Sequence, residues 1–229
     1  MHHISRLLVL VGLAACAGGS TAEVGPDPVE AQEAAPAPKS KSQVKMPPPA
    51  PMNTLGIAGQ VVGVLPITLV VARDSLAGKP PFADRASSNQ WADSLIGELL
   101  MLRAPDVKWK LPAQMRALAR SAPGLAADPD YLGQAALRDP QIEKVPNPLI
   151  SNIRTLMAIA GGRYTFVPAS LSFQHDSLGA VEARANFVGI DSRMGDVVFR
   201  SYIIASGVTP VAAMDSVMTI LFPAITVEP

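Results

Sequence analysis

The run Phe187-Val188-Gly189-Ile190-Asp191-Ser192-Arg193-Met194-Gly195-Asp196-Val197-Val198-Phe199-Arg200 sits in the middle of a β-hairpin pattern. From Val181 to Ile190 the chain alternates. Val181, Ala183, Ala185, Phe187 and Gly189 fall on one side and Glu182, Arg184 and Asn186 on the other, the period of a half-buried strand. Val197 to Ala205 answers as the returning strand, and Asp191 to Asp196 is the turn between them, in which Gly195 can take the positive φ of a bulged hairpin. Upstream, Arg163 to Gln174 carries Tyr164, Phe166, Val167, Leu171 and Phe173. Pro168 interrupts it and cannot donate to a ladder, which predicts a bend or an edge position. Downstream, Thr209 to Phe222 spaces Val211, Met214, Val217, Met218, Leu221 and Phe222 as an amphipathic helix that would lie back across the sheet.

Toward the amino terminus, Gln60 to Ala72 is nearly continuous in Val, Ile and Leu, the composition of a strand buried on both faces. No charge occurs between Lys45 and Arg73, so a membrane-spanning helix is the competing reading, but Gly56, Gly59, Gly63 and Pro66 oppose it. Arg73 to Ala86 reads as a polar loop. Ser87 or Ser88 can cap a helix running to about Leu102, with Trp91, Leu95, Ile96, Leu99, Leu100 and Leu102 along one broad face. A short strand is expected near Val107 to Leu111. Helical pieces are expected from Pro112 to Ala119, Pro129 to Arg138 and Pro148 to Ala160, each starting at or just after a proline that suits a first turn. Gly161 and Gly162 end the last of them as a left-handed cap.

Strand, helix, several short helices, a three-stranded antiparallel unit and a helix imply an α+β domain, with helices packed on a mixed or antiparallel sheet. The strand leading into Val64-Leu65-Pro66, the helix with Asp93-Ser94-Leu95, and the hairpin quoted above resemble the fold shared by the TolB amino-terminal domain, the penicillin-binding-protein activator LpoB and the curli secretion lipoprotein CsgG. Phe199 stands where those hairpins usually carry an aromatic. The proline-rich helical insertion departs from their simpler pattern, and long uncharged strands of a curli-type pore are not evident. The resemblance implies an envelope protein that works through protein contacts.

At the start of the chain, Arg6 precedes the apolar run Leu7 to Leu13, and Leu13-Ala14-Ala15-Cys16 is similar at every position to the lipobox of bacterial lipoproteins. That resemblance implies cleavage before Cys16, diacylglycerol on its sulfur and a further acyl chain such as palmitate on the new amino terminus. An ordinary secretory signal or a short anchor is the alternative, although the run is about half of the ~20 residues that span a bilayer. Ala17, not Asp, follows the cysteine, which resembles the pattern sent to the outer membrane, with the domain facing the periplasm. Cys16 is the sole cysteine, so no disulfide can staple the fold. The reading is therefore a signal peptide over residues 1–15, a lipidated Cys16 with a disordered Pro/Ala-rich tether over 16–55, and one domain over 56–229. Pro26, Pro28, Pro36, Pro38, Pro47, Pro48, Pro49 and Pro51 make the tether polyproline-like, and about 39 residues at ~3.1 Å each would reach up to roughly 120 Å.

Composition narrows the function. Without Arg6 the chain has 18 basic against 19 acidic residues, and neither this balance nor any Lys/Arg cluster gives a reason to expect nucleic acid or a polybasic membrane patch. His175 is the single histidine past the leader and could serve a lipoprotein hydrolase as general base, yet no Gly-x-Ser-x-Gly elbow accompanies it. Gly161-Gly162-Arg163 follows a helix end, the wrong polarity for a phosphate loop. Asp176, Asp191 and Asp196 lack the spacing of a calcium loop. Met101, Met157, Met214 and Met218 read as core filler. No catalytic, cofactor or metal site is expected. The expected role is that of a lipid-anchored scaffold or accessory lipoprotein that binds an envelope protein or copies of itself, with Asp74 to Arg85 and Ser121 to Pro148 as contact surfaces. Ligand binding or transport assistance is the first alternative and hydrolysis through His175 the second.

Overall fold

The computed structural model describes residues 49–223. Its order is β1 (Val61–Val64), β2 (Val70–Ala72), α1 (Arg85–Arg103), β3 (Lys108–Lys110), α2 (Pro112–Ser121), α3 (Leu149–Ala160), β4 (Tyr164–His175), β5 (Val181–Asp191), β6 (Asp196–Gly207) and α4 (Pro210–Leu221), with short 3₁₀ turns between. The fold is α+β. Among the described residues a six-stranded mixed sheet runs β3-β1-β4-β5-β6, with β2 also against β4. β1 pairs in parallel with β3 and β4, whereas β4, β5 and β6 are antiparallel.

The single strand read over Gln60 to Ala72 is two pieces. Val62 lies opposite Tyr164 and Val70 opposite Leu171, so this side holds one residue more than β4 between the two pairs. Pro66 falls inside that excess and cannot continue the ladder. On the other side of β4 the pairing with β5 slips between Pro168 and Ser170. Pro168 therefore marks a bulge in a central strand, not an edge.

Helices cover both faces of the sheet. On one, α1 and α4 bury Leu95, Ile96, Leu100, Met214, Val217 and Leu221 against Phe166, Phe173 and Phe187. On the other, α2, α3 and the segment after α2 bury Met115, Leu137, Ile153 and Leu156 against Val167, Val188 and Ile190. The side of β5 read as polar is thus partly open only at Glu182 and Arg184; from Asn186 onward it is buried.

Local corrections follow from capping and packing. Asp84, not Ser87 or Ser88, caps α1 by accepting from the Ser87 N–H at 2.9 Å. Pro129 to Arg138 is two 3₁₀ turns instead of a helix. Leu102, read on the packed face of α1, is exposed in the last turn, and Met101 beside it is half exposed, while Met157, Met214 and Met218 are buried. Gly161 takes the left-handed cap at the end of α3, and Gly195 the positive φ of the hairpin turn. No helix among the described residues is long and apolar enough to cross a membrane. The segment before β1 is taken up from Ala50, whose N–H donates to Ser201 Oγ, and Met52, whose N–H donates to Leu221 O.

Candidate functional site

The end of the β5–β6 hairpin meets the end of α3 because β4 follows α3 directly. Tyr164 is the register partner of Asp191, so Arg163 lies beside the turn, and the Ser192 N–H donates to Arg163 O at 2.9 Å. Arg163 donates from Nε to Asp191 Oδ2 at 2.9 Å and also pairs with it through Nη2. Asp191 is buried, and its other oxygen accepts the N–H of Arg193 at 3.0 Å. The Arg163 guanidinium, ahead of these backbone bonds, holds the Asp191 carboxyl below its ordinary value. Thr165 and Ser192 hydroxyls lie 2.8 Å apart under the turn.

A cleft of about 780 Å³ opens here. Arg154 of α3, Arg163 and Arg193 line it with Gln60, Met157 and Ser192. Arg154 donates from Nε to Ser192 O at 3.1 Å. No carboxylate, thiol or imidazole lines the cleft. Two of the carbonyls that end α3 are occupied, because Gly161 and Gly162 N–H groups donate to Ala158 O and Met157 O. The negative end of the helix dipole remains beside Gly161-Gly162-Arg163, and Arg154 and Arg163 are the cations set against it.

A second ionic group lies at the break between β1 and β2. Asp93 Oδ1 accepts the Ile67 N–H at 2.8 Å, and Arg116 Nη2 donates to Asp93 Oδ2 at 2.6 Å and to Asp130 at 2.8 Å. Burial pushes the Asp93 carboxyl up, outweighing the Ile67 N–H and Arg116. These charges compensate one another and fasten α1 to α2.

The residues singled out in the sequence are dispersed. His175 ends β4, half-buried, with its Nδ1 3.4 Å from the Oγ of exposed Ser75. That spacing is long for a hydroxyl hydrogen bond, and no carboxylate bonds the imidazole among the described residues. Asp176 accepts the N–H groups of Leu178 and Ala180 in its own turn. Asp196 pairs with Lys144. No group of His, Cys, Asp or Glu that could hold a metal occurs among the described residues. The two long connectors are packed: Phe82 is buried beside Trp91 and Phe173, and Leu132, Leu137 and Val145 are buried on the second face. Cys16, the leader and residues 16–48 of the tether lie outside the described residues. Arg154 and Arg193 were not foreseen, and only the pairing of β4 with β5 could have brought Arg163 to the turn.

No protein-family model matches this chain, and no curated protein matches it. Among solved structures, the LpoB C-terminal domain from Salmonella enterica is 14% identical over 66% of this chain and 84% of that one, with a TM-score of 0.38. The solution structure of LpoB from Escherichia coli is 15% identical over 82% and 94%, with a TM-score of 0.36. The PelC dodecamer from Paraburkholderia phytofirmans is 13% identical over 78% and 96%, with a TM-score of 0.35. At such values, what this chain does has to be argued from its own residues.

Proposed function

We propose that the mature chain is a lipid-anchored accessory lipoprotein of the cell envelope that acts by binding another protein and not by catalysis. The observation that carries this reading is the open cleft at the hairpin base, built from three elements and supplied with hydrogen-bond donors, in which the one hydroxyl, Ser192, pairs with Thr165 and no side chain that could serve as a base lines the wall. Cys16 within Leu13-Ala14-Ala15-Cys16 supports the anchor, and Ala17 supports the outer membrane, facing the periplasm. Leader 1–15, tether 16–55 and domain 56–229 then divide the labour, since a domain held on a flexible chain gains effective concentration toward whatever lies within reach.

A photocrosslinking residue placed at Gln60 or Ala158 in cells should trap a discrete protein adduct, whereas one at Leu178, on the far turn, should not. Absence of adducts at every position would overturn the binding reading. Labelling with a fatty-acid analogue should mark the wild type and not C16A; equal label on both removes the anchor.

A further inference from the structure

We propose that the arginine cleft takes an acidic peptide segment of the partner protein. This rests on the binding reading above and names the chemistry of the partner. Three separate elements aim guanidinium groups at one cleft, yet only Arg163 meets a carboxylate. Asp191, that partner, is buried behind the cleft and does not line it. Arg154 engages only Nε, which leaves its two terminal nitrogens without partners among the described residues, and the Arg193 side chain has none there. Arg154 and Arg193 are both exposed, so their free donors meet solvent and are available to a ligand.

The geometry selects the ligand. A guanidinium presents a rigid fork of donors that matches the two oxygens of a carboxylate, and two such forks at one site favour a segment carrying more than one acidic side chain. The volume of about 780 Å³ is far more than a lone anion fills. Met157 and Val61 give the cleft apolar wall, and the Gln60 amide can bond a peptide backbone. An extended acidic chain uses all of these features. A bare phosphate uses only the charge.

The test titrates a fluorescein-labelled hexaglutamate peptide with the full mature chain and reads anisotropy. Saturable binding is expected, weakened roughly tenfold or more in R154E/R193E and unchanged in R120E, an exposed charge on α2. R193A removes a side chain without structural partners, so it should melt as the wild type does and still bind several-fold more weakly. Equal affinity across all variants would overturn the proposal. So would inorganic phosphate competing as well as the peptide, which would make this a small-anion site. With the acyl anchor removed by C16A, retention on phosphatidylglycerol vesicles that is lost in R154E/R193E, without any peptide binding, would assign the cleft to a lipid headgroup instead. Cellular adducts that persist in R154E/R193E would reject the acidic segment while leaving the binding reading intact.

Discussion

The two faces of the sheet are closed by different chemistry. Over one lie two regular helices and a set of rings, with Phe166 stacked on Phe187 at 5.3 Å, and Trp91 and Phe82 edge-on to each other at 5.2 Å. Over the other lie two helices and an irregular insertion, with aliphatic and methionine side chains beneath. A regular helix satisfies its own backbone, so burial alone can hold it. An irregular segment leaves carbonyls open and must borrow donors. Arg200 donates to Leu137 O at 2.6 Å and to Ile142 O at 3.1 Å, and Gln134 Nε2 donates to Pro66 O at 3.1 Å. The second face is therefore fastened as well as packed, and it is the side on which α3 brings Arg154 to the cleft.

The largest effect should come from the ring-filled face. Phe166 is fully buried between Trp109 and Phe187, and Phe166→Ala should cost about 3–5 kcal/mol through lost burial and the cavity left behind. Urea denaturation reads this. A loss comparable to a surface substitution would mean that the rings are not what closes this face.

On the fastened face, Arg200→Met keeps the apolar stem and removes the donors to two insertion carbonyls. A cost of about 1–3 kcal/mol is expected, with faster amide exchange across 134–145 and little change in α4. Matching acceleration in α4 would show that the two faces open as one unit, and the contrast between them would fail.

The antiparallel half of this arrangement was legible because its signals are local: alternation from Val181, a turn around Gly195 and the helical spacing from Val211 to Leu221. The covering of the second face was not. Glu182, Arg184 and Asn186 suggested a solvated side, while Val188 and Ile190, of the same parity, were the sign that a layer sits on its far half. The break at Pro66 answers the bulge at Pro168 one strand away, a long-range match that no window of sequence contains. For the cleft, Arg154, Arg163 and Arg193 share no spacing, and only the opposition of Tyr164 and Asp191 joins them.

Two buried carboxylates sharpen the comparison through pH. Asp93, at the seam of α1 and α2, is raised above the ordinary 3.8 by burial, so the folded state holds its proton more tightly than the unfolded chain. Its share of stability grows as pH falls from 7 toward about 4, and is lost again as pH rises. Asp191, under the cleft, is lowered from 3.8, chiefly by Arg163. Its share is present above about 4 and disappears as pH falls through the depressed value. Asp93→Asn should therefore lose more stability than the wild type between pH 7 and 4, and Asp191→Asn should lose less between pH 4 and 2. Thermal melts across pH give both slopes. Slopes of the same sign for the two variants would contradict the assigned burial and pairing.

The smallest effect is expected at His175, which belongs to neither packed face. Its ring sits at the end of β4, and its contact to Ser75 at 3.4 Å is the one feature a hydrolase could use. A serine nucleophile needs a base within about 2.6–3.2 Å and a third group that orients the base, and here the spacing is longer and the third group is missing among the described residues. His175→Ala should shift stability by no more than about 0.5 kcal/mol and leave the crosslinked adduct unchanged. An ester-hydrolysis assay on the purified chain completes the test. Turnover in the wild type that vanishes in both His175→Ala and Ser75→Ala would move the working site from the arginine cleft to the end of β4, because two substitutions that barely alter the fold would have removed all of the chemistry.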